Sequence, residues 1–315
     1  MKLSRFLIIA IVASTSFLTA CTSEEEEASA RHELVFQLGM GNAETRATPE
    51  GTWTVGDFIA VKVGNTVKQY KITSTDGKAE GINAANTFCW EDLGVSSVKV
   101  TAWSFGSDYY ETLPSAITVK TDQSSDKNYT ASDFLYAKET TITQGAPLNL
   151  TFYHQMTYLG FHINIDKPVD IKSVVIGDDP EWPDAMFCYI KANYTEPTID
   201  AEGNFPNFGE FEVDYDEEGI MEKIIAHKGD NVGNTKTFTA ILVPYAYYES
   251  IPVVITLEDD TKFCFWMGMD SVRTPDCEVG GRQFYTINIR NNKLSVSGAT
   301  GAGPAVYPED WQVHQ

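Results

Sequence analysis

Leu148-Asn149-Leu150-Thr151-Phe152-Tyr153-His154 alternates apolar and polar residues with the period of two of a β-strand, apolar on even positions. Leu159-Gly160-Phe161-His162-Ile163-Asn164-Ile165 repeats the pattern on odd ones. The slip of phase near Met156 to Tyr158 calls for a bulge or bend. Working outward toward the C-terminus, residues 171–176, 237–243, 253–257, 262–266 and 284–289 are further short runs rich in β-branched and aromatic residues. Toward the N-terminus, residues 58–63, 66–72, 98–103 and 117–119 read the same way, with Gly64-Asn65 as a hairpin turn between the first two. Gly, Asn, Asp and Pro break these runs at sandwich-like intervals, and no long stretch has helical period. The best helical stretch is 129–137, where Ser132-Asp133 would cap a turn holding Phe134 and Leu135. The fold expected is all-β: two β-sandwiches, residues 31–147 and 148–315, joined near Gly145-Ala146-Pro147.

Composition narrows the function. Loss of residues 1–20 would leave 295 residues, enough for about two cores, and 21 basic against 44 acidic residues, a net charge of −23. Such a surface repels nucleic acid and anionic headgroups, and favours solubility and mutual repulsion of free copies. Nucleic acid is therefore not an expected partner. Cys89, Cys188, Cys264 and Cys277 include no CxxC pair. Four cysteines allow three full pairings, and their apolar neighbours read more simply as surroundings of small buried thiols.

The first 47 residues carry delivery information. Lys2 and Arg5 precede an apolar run from Phe6 to Phe17, shorter than the roughly 20 residues of a spanning helix, as in a signal peptide. Leu18-Thr19-Ala20-Cys21 resembles the bacterial lipobox, which implies lipidation of Cys21 and removal of residues 1–20. More than one acyl chain gives lasting attachment. Residues 21–30, with Glu24-Glu25-Glu26-Glu27, form an acidic tether that stays solvated. The tether also resembles the signal that sends some lipoproteins of Gram-negative anaerobes to the outer face of the outer membrane; a spacer without an address fits equally. A strand-like run, Glu33-Leu34-Val35-Phe36-Gln37-Leu38, follows, and then Arg46-Ala47 in a polar stretch open to a trypsin-like protease.

In order, the chain holds Arg46-Ala47, Trp53 with Gly56-Asp57, Ser132-Asp133-Phe134-Leu135-Tyr136-Ala137, Leu150-Thr151-Phe152-Tyr153-His154-Gln155-Met156, Thr239-Ala240-Ile241-Leu242-Val243-Pro244 and Trp311. Behind a lipobox this order resembles the fimbrillin family, the pilin-like lipoproteins of type V pili. The resemblance implies two tandem transthyretin-like β-sandwich domains behind a lipoprotein signal peptide, and an outer-membrane, surface-exposed location. It also implies cleavage between Arg46 and Ala47 by an arginine-specific protease, and assembly with other pilin subunits by donor-strand exchange. If residues 33–38 form the first strand of the N-terminal sandwich, Leu34, Phe36 and Leu38 share a buried face. Losing about 2 kcal/mol for each of them, with ladder bonds near 1 kcal/mol, would cost roughly 6 to 10 kcal/mol, comparable with the stability of a domain. The strand would thus be a latch, and its loss would open a groove for β-augmentation. The donor tail would follow the hinge Gly298-Ala299-Thr300-Gly301-Ala302-Gly303, with Tyr307, Trp311 and Val313 on one parity; alternatively, the tail folds back on its own domain.

An enzyme is not expected: GxSxG, HExxH and a nucleotide-binding glycine loop are all missing from the sequence. No cofactor or metal is expected either. Asp214-Tyr215-Asp216-Glu217-Glu218-Gly219 begins like a calcium loop, but Ile225 stands where the bidentate Glu would be, so it reads as an acidic turn. His154, in phase with Leu150 and Phe152, reads as a hydrogen-bonded core residue. Asp178, Asp179, Glu181 and Asp184 could flank a glycosidic bond, though a Pro-stiffened surface loop is the simpler reading. The alternative to a polymerising subunit is an unprocessed surface lipoprotein, as anchor, tip or glycan binder, meeting a host protein or a glycan through Trp182 and Tyr189.

Overall fold

The computed structural model describes residues 31–41, 53–298 and 305–306, apart from 167, 183, 202–203, 232, 247–249, 270–271 and 273–274. The chain is all-β. In the first half the strands are β1 (Phe36–Met40), β2 (Phe58–Val63), β3 (Thr66–Ile72), β4 (Lys78–Gly81), β5 (Ser97–Ser104), β6 (Ala116–Thr118), β7 (Leu135–Thr143) and β8 (Asn149–His154). Seven of them close a barrel in the order β1-β4-β3-β2-β5-β7-β8, where a sandwich was expected. The β2–β3 hairpin turns at Gly64-Asn65 with Gly64 at φ +59°, a conformation glycine adopts without strain. Alternation fills the barrel: Ile59 and Val61 of β2 point inward with Val100 and Ala102 of β5, while Ala60 and Trp103 point out and join the core of the second half.

That second half holds β9 (Thr157–Ile165), β10 (Ile171–Ile176), β11 (Cys188–Tyr189), β12 (Lys191–Thr195), β13 (Glu210–Glu212), β14 (Met221–Glu222), β15 (Ile224–Ile225) and β16 (His227–Lys228). It continues with β17 (Thr235–Leu242), β18 (Tyr245–Ala246), β19 (Ile251–Leu257), β20 (Lys262–Met267), β21 (Asp276–Cys277), β22 (Arg282–Arg290), β23 (Lys293–Gly298) and β24 (Ala305–Val306). A six-stranded sheet, β16-β17-β9-β22-β23-β24, shares a core with a four-stranded one, β15-β10-β19-β20; Phe161 of β9 meets Phe265 of β20 edge-on at 6.3 Å.

Three expectations are corrected. The sheets change after β8, not at 147/148, because β8 pairs with β1 and β7 inside the barrel. Of the bulge or bend expected at the phase slip, the structure has the bend, at the crossover from one unit to the other. Gln155 stabilises it from a buried position: its side-chain amide donates to Tyr153 and Asn207 carbonyls and accepts from the Gly209 N–H. The helix spans Asp126–Ser132 with Ser125 as its cap, so Ser132 ends it and Leu135 begins β7. The second core is not built by the second unit alone. β6 pairs with β12, the Gln123 side chain both donates to and accepts from the backbone of Ile241 at 2.8 Å, and Ile117, Val119, Phe134 and Tyr136 lie in the second unit's core.

Candidate functional site: the first strand and the barrel it closes

β1 is short, but both its edges are paired. It runs antiparallel to β4, with Phe36 opposite Ala79, and parallel to β8, with Leu38 opposite Leu150. Backbone bonds extend beyond the ladder: Leu34 N–H donates to Phe88 O at 2.8 Å, Gln37 N–H to Leu148 O at 2.9 Å, Leu38 N–H to Gly77 O at 2.8 Å and Gly41 N–H to Phe152 O at 2.7 Å. Leu34, Phe36 and Leu38 are at most 3% exposed and belong to the barrel core. The Phe36 ring meets Tyr70 edge-on at 5.3 Å, and the Tyr70 hydroxyl accepts from Phe88 N–H at 2.9 Å. Burial pushes the Tyr70 pKa well above its ordinary value, so this hydroxyl keeps its proton throughout the physiological range.

The strand's entry is also held. Arg31 forms an ion pair with Asp92, and His32 is hydrogen-bonded through its N–H and Nδ1 to Glu91, both partners in the short helix Trp90–Leu93; the Trp90 N–H donates to His32 O at 3.1 Å. The His32 hydrogen bond holds the Glu91 carboxyl below its usual range. The sequence reading missed this clamp, because the partners lie about 60 residues apart and neither pair belongs to a motif. Such an arrangement leaves a definite gap if β1 is withdrawn: unpaired edges on β4 and β8, over a slot lined by Tyr70, Ile72, Ala79, Leu150 and Phe152.

Cys21, Arg46, Ala47, Tyr307, Trp311 and Val313 lie outside the described residues. The nearest described part of the tail, β24, pairs antiparallel with β23 of its own chain. Trp182 is 66% exposed in the loop after β10. Tyr189 is half-buried, and its described ring neighbours are Tyr245 at 4.7 Å and Tyr215 at 6.0 Å, not Trp182. The Tyr215 hydroxyl donates to that of Tyr245 at 2.8 Å, so the acidic turn contributes to an aromatic group that its charge pattern did not announce. Two of the loop carboxylates are engaged: Asp178 pairs with Lys223 at 2.7 Å, and buried Asp179 accepts from Glu181 N–H. His154 is largely buried and bound to Asp133 at 2.8 Å. All four cysteines are buried; Cys89, Cys188 and Cys264 carry free thiols, and burial pushes the latter two up to about 12.

Comparison with known proteins places this geometry. A family model described as fimbrillin-like matches residues 45–301. No curated protein matches the chain. A solved structure of a candidate cell adhesion protein from Bacteroides uniformis is 16% identical, with TM-score 0.56 over 86% of this chain and 97% of that one. One from Bacteroides ovatus is 14% identical, with TM-score 0.56 over 88% and 98%. At these identities the structural likeness speaks for the fold alone.

Proposed function

The chain belongs to the fimbrillin-like family, whose members are non-enzymatic fimbrial or cell-adhesion proteins of the cell surface, and from that premise we propose that it is a pilus subunit whose first strand is a removable closure. In this reading Cys21 is lipidated and holds the precursor on the outer membrane. Cleavage between Arg46 and Ala47, in the segment joining β1 to Trp53, then cuts β1 from the body. A strand of another subunit, from a tail carrying Tyr307, Trp311 and Val313, replaces it.

The observation that carries the reading is the position of β1. It closes a barrel, has partners on both edges, and buries Phe36 and Leu38, with Leu34 buried just ahead of it. The test is treatment of the full-length precursor with an arginine-specific protease. A new N-terminus at Ala47 and SDS-resistant ladders are expected, and a chain that stays intact and monomeric overturns the proposal. The exposure of Trp182 favours a second reading, an unprocessed anchor or tip lipoprotein that binds glycan or host protein through Trp182 and the Tyr189 group. Glycan-array binding lost in Trp182→Ala supports it, and silence of the wild-type protein removes it.

A further inference from the structure

Between the barrel and the second unit lies a cavity of 610 Å³ that the strand-exchange reading does not use. The volume is in the range of about 300–1,000 Å³ common for small-molecule sites. Trp53, Asp57 and Ser107 line it from the barrel side, the helix Asp126–Ser132 from another, and Tyr158 and His227 from the second unit. Met40, Leu135 and Met156 supply apolar wall.

Most of its polar groups are already committed. Asp133 is bound to His154 at 2.8 Å, and burial pushes the Tyr129 and Tyr158 hydroxyls above their ordinary pKa, so both keep their protons. The Arg282 guanidinium lies over the Tyr158 and Phe284 rings at 4.5 and 4.7 Å. The His227 ring stacks on Tyr129, with Nε2 facing Asp126 at 3.7 Å. Three groups remain open among the described residues. Ser107 Oγ and His227 Nδ1 are buried and make no hydrogen bond. The half-buried Asp57 carboxyl has lost water with no compensating bond, which pushes its pKa up to about 6. Buried polar atoms without a partner are rare, so two of them beside the poorly hydrated Asp57 carboxyl around one cavity mark a place arranged for a ligand.

The chemistry of the lining selects among ligands. Asp57, Asp126 and Asp133 stand against Lys127 and Arg282, with His154 and His227 between, so the lining charge is nearly balanced and favours no strongly charged molecule. The open atoms are an acceptor, a hydroxyl that can both donate and accept, and an imidazole nitrogen that takes either role. A ligand with several hydroxyls answers all three, and its C–H faces suit the aromatic and methionine walls. We propose that this cavity binds a neutral sugar, with Asp57, Ser107 and His227 Nδ1 hydrogen-bonded to its hydroxyls. The site is separate from Trp182 and Tyr189 and requires no cleavage.

The test is saturation-transfer NMR on the intact full-length protein with D-glucose, D-galactose, D-mannose and N-acetyl-D-glucosamine, and with L-arginine and D-glucuronate as charged controls. At least one neutral sugar is expected to bind, with Kd on the order of 1 mM or tighter. Asp57→Asn and Ser107→Ala should each weaken it tenfold or more, while Trp182→Ala leaves it unchanged. Ser107→Ala removes a single hydroxyl and decides the matter if Asp57→Asn alters the fold. The proposal fails if none of the four sugars binds, if binding ignores Ser107→Ala, or if only a charged control binds. Because the assay uses uncleaved protein, failure of processing at Arg46 would leave its result intact.

Discussion

Asp57 combines two opposing roles in one side chain. Its carboxyl is poorly hydrated, so the folded pKa of about 6 exceeds the unfolded value of about 4. Between those values the native state holds more protons than the unfolded one, and Asp57's contribution to stability falls as pH rises through that window. Asp57→Asn should therefore stabilise the protein at pH 7.5, by about 1 kcal/mol once solvent screening is allowed for, and change little at pH 4.5, as urea melts at the two pH values will show. Stability would rise just where sugar affinity falls. Gly77 is the second position with a sharp consequence. It sits at φ +94°, and a Cβ there would meet Leu38 O at 2.4 Å and the Trp53 ring at 2.7 Å. Gly77→Ala should cost about 2–3 kcal/mol, measured by denaturant midpoint, by forcing apart the contact that holds the end of β1. Neither residue stood out by spacing. Asp57 entered the sequence reading only through the Gly56-Asp57 pair, and desolvation has no signature in a linear pattern.

At the scale of elements, the latch and its kinetics can be separated. Cleavage at Arg46 cuts a connection but removes none of the pairing that holds β1, so the cut strand is expected to stay in place until a competitor displaces it. Phe36→Ala removes the ring that meets Tyr70 and should cost about 3–5 kcal/mol. In a cleaved subunit this loss should speed release of the strand, with native mass spectrometry following the freed N-terminal fragment; a rate equal to wild type would mean that side-chain burial does not set the exchange barrier. Alternation made most strands readable: Phe58–Val63, Thr66–Ile72 and Ile171–Ile176 stand where the pattern put them. Partners were not readable. Period two tells which face a residue occupies, not which strand lies beside it, and β8 pairs with β1 across more than 100 residues. The helix was misplaced because Ser125 and Ser132 carry the same capping hydroxyl; the structure uses Ser125, which accepts from the Asn128 N–H, and ends the helix at Ser132.

Over the whole molecule, the shared core bears on cooperativity. Ala60, Trp103, Phe105, Ile117 and Tyr136 belong to the first half of the chain but pack with Phe161, Phe238 and Ile255 of the second. A single calorimetric transition is expected for the intact protein, and residues 31–154 alone should not give a cooperative melt; two resolved transitions would show that the units fold independently. Composition suggested two cores but could not show that the strand after Gly145-Ala146-Pro147 returns to the first. The orientation of β1 has a further, mechanical meaning. The N-terminal part of the chain precedes β1, and tension directed along the strand axis would act against ladders on both β4 and β8 at once. Bonds loaded in this way share the force, whereas bonds peeled from one end fail in turn. Before any cut, the same five-residue strand is thus a shear joint able to carry load between whatever holds the N-terminus and the body of the barrel.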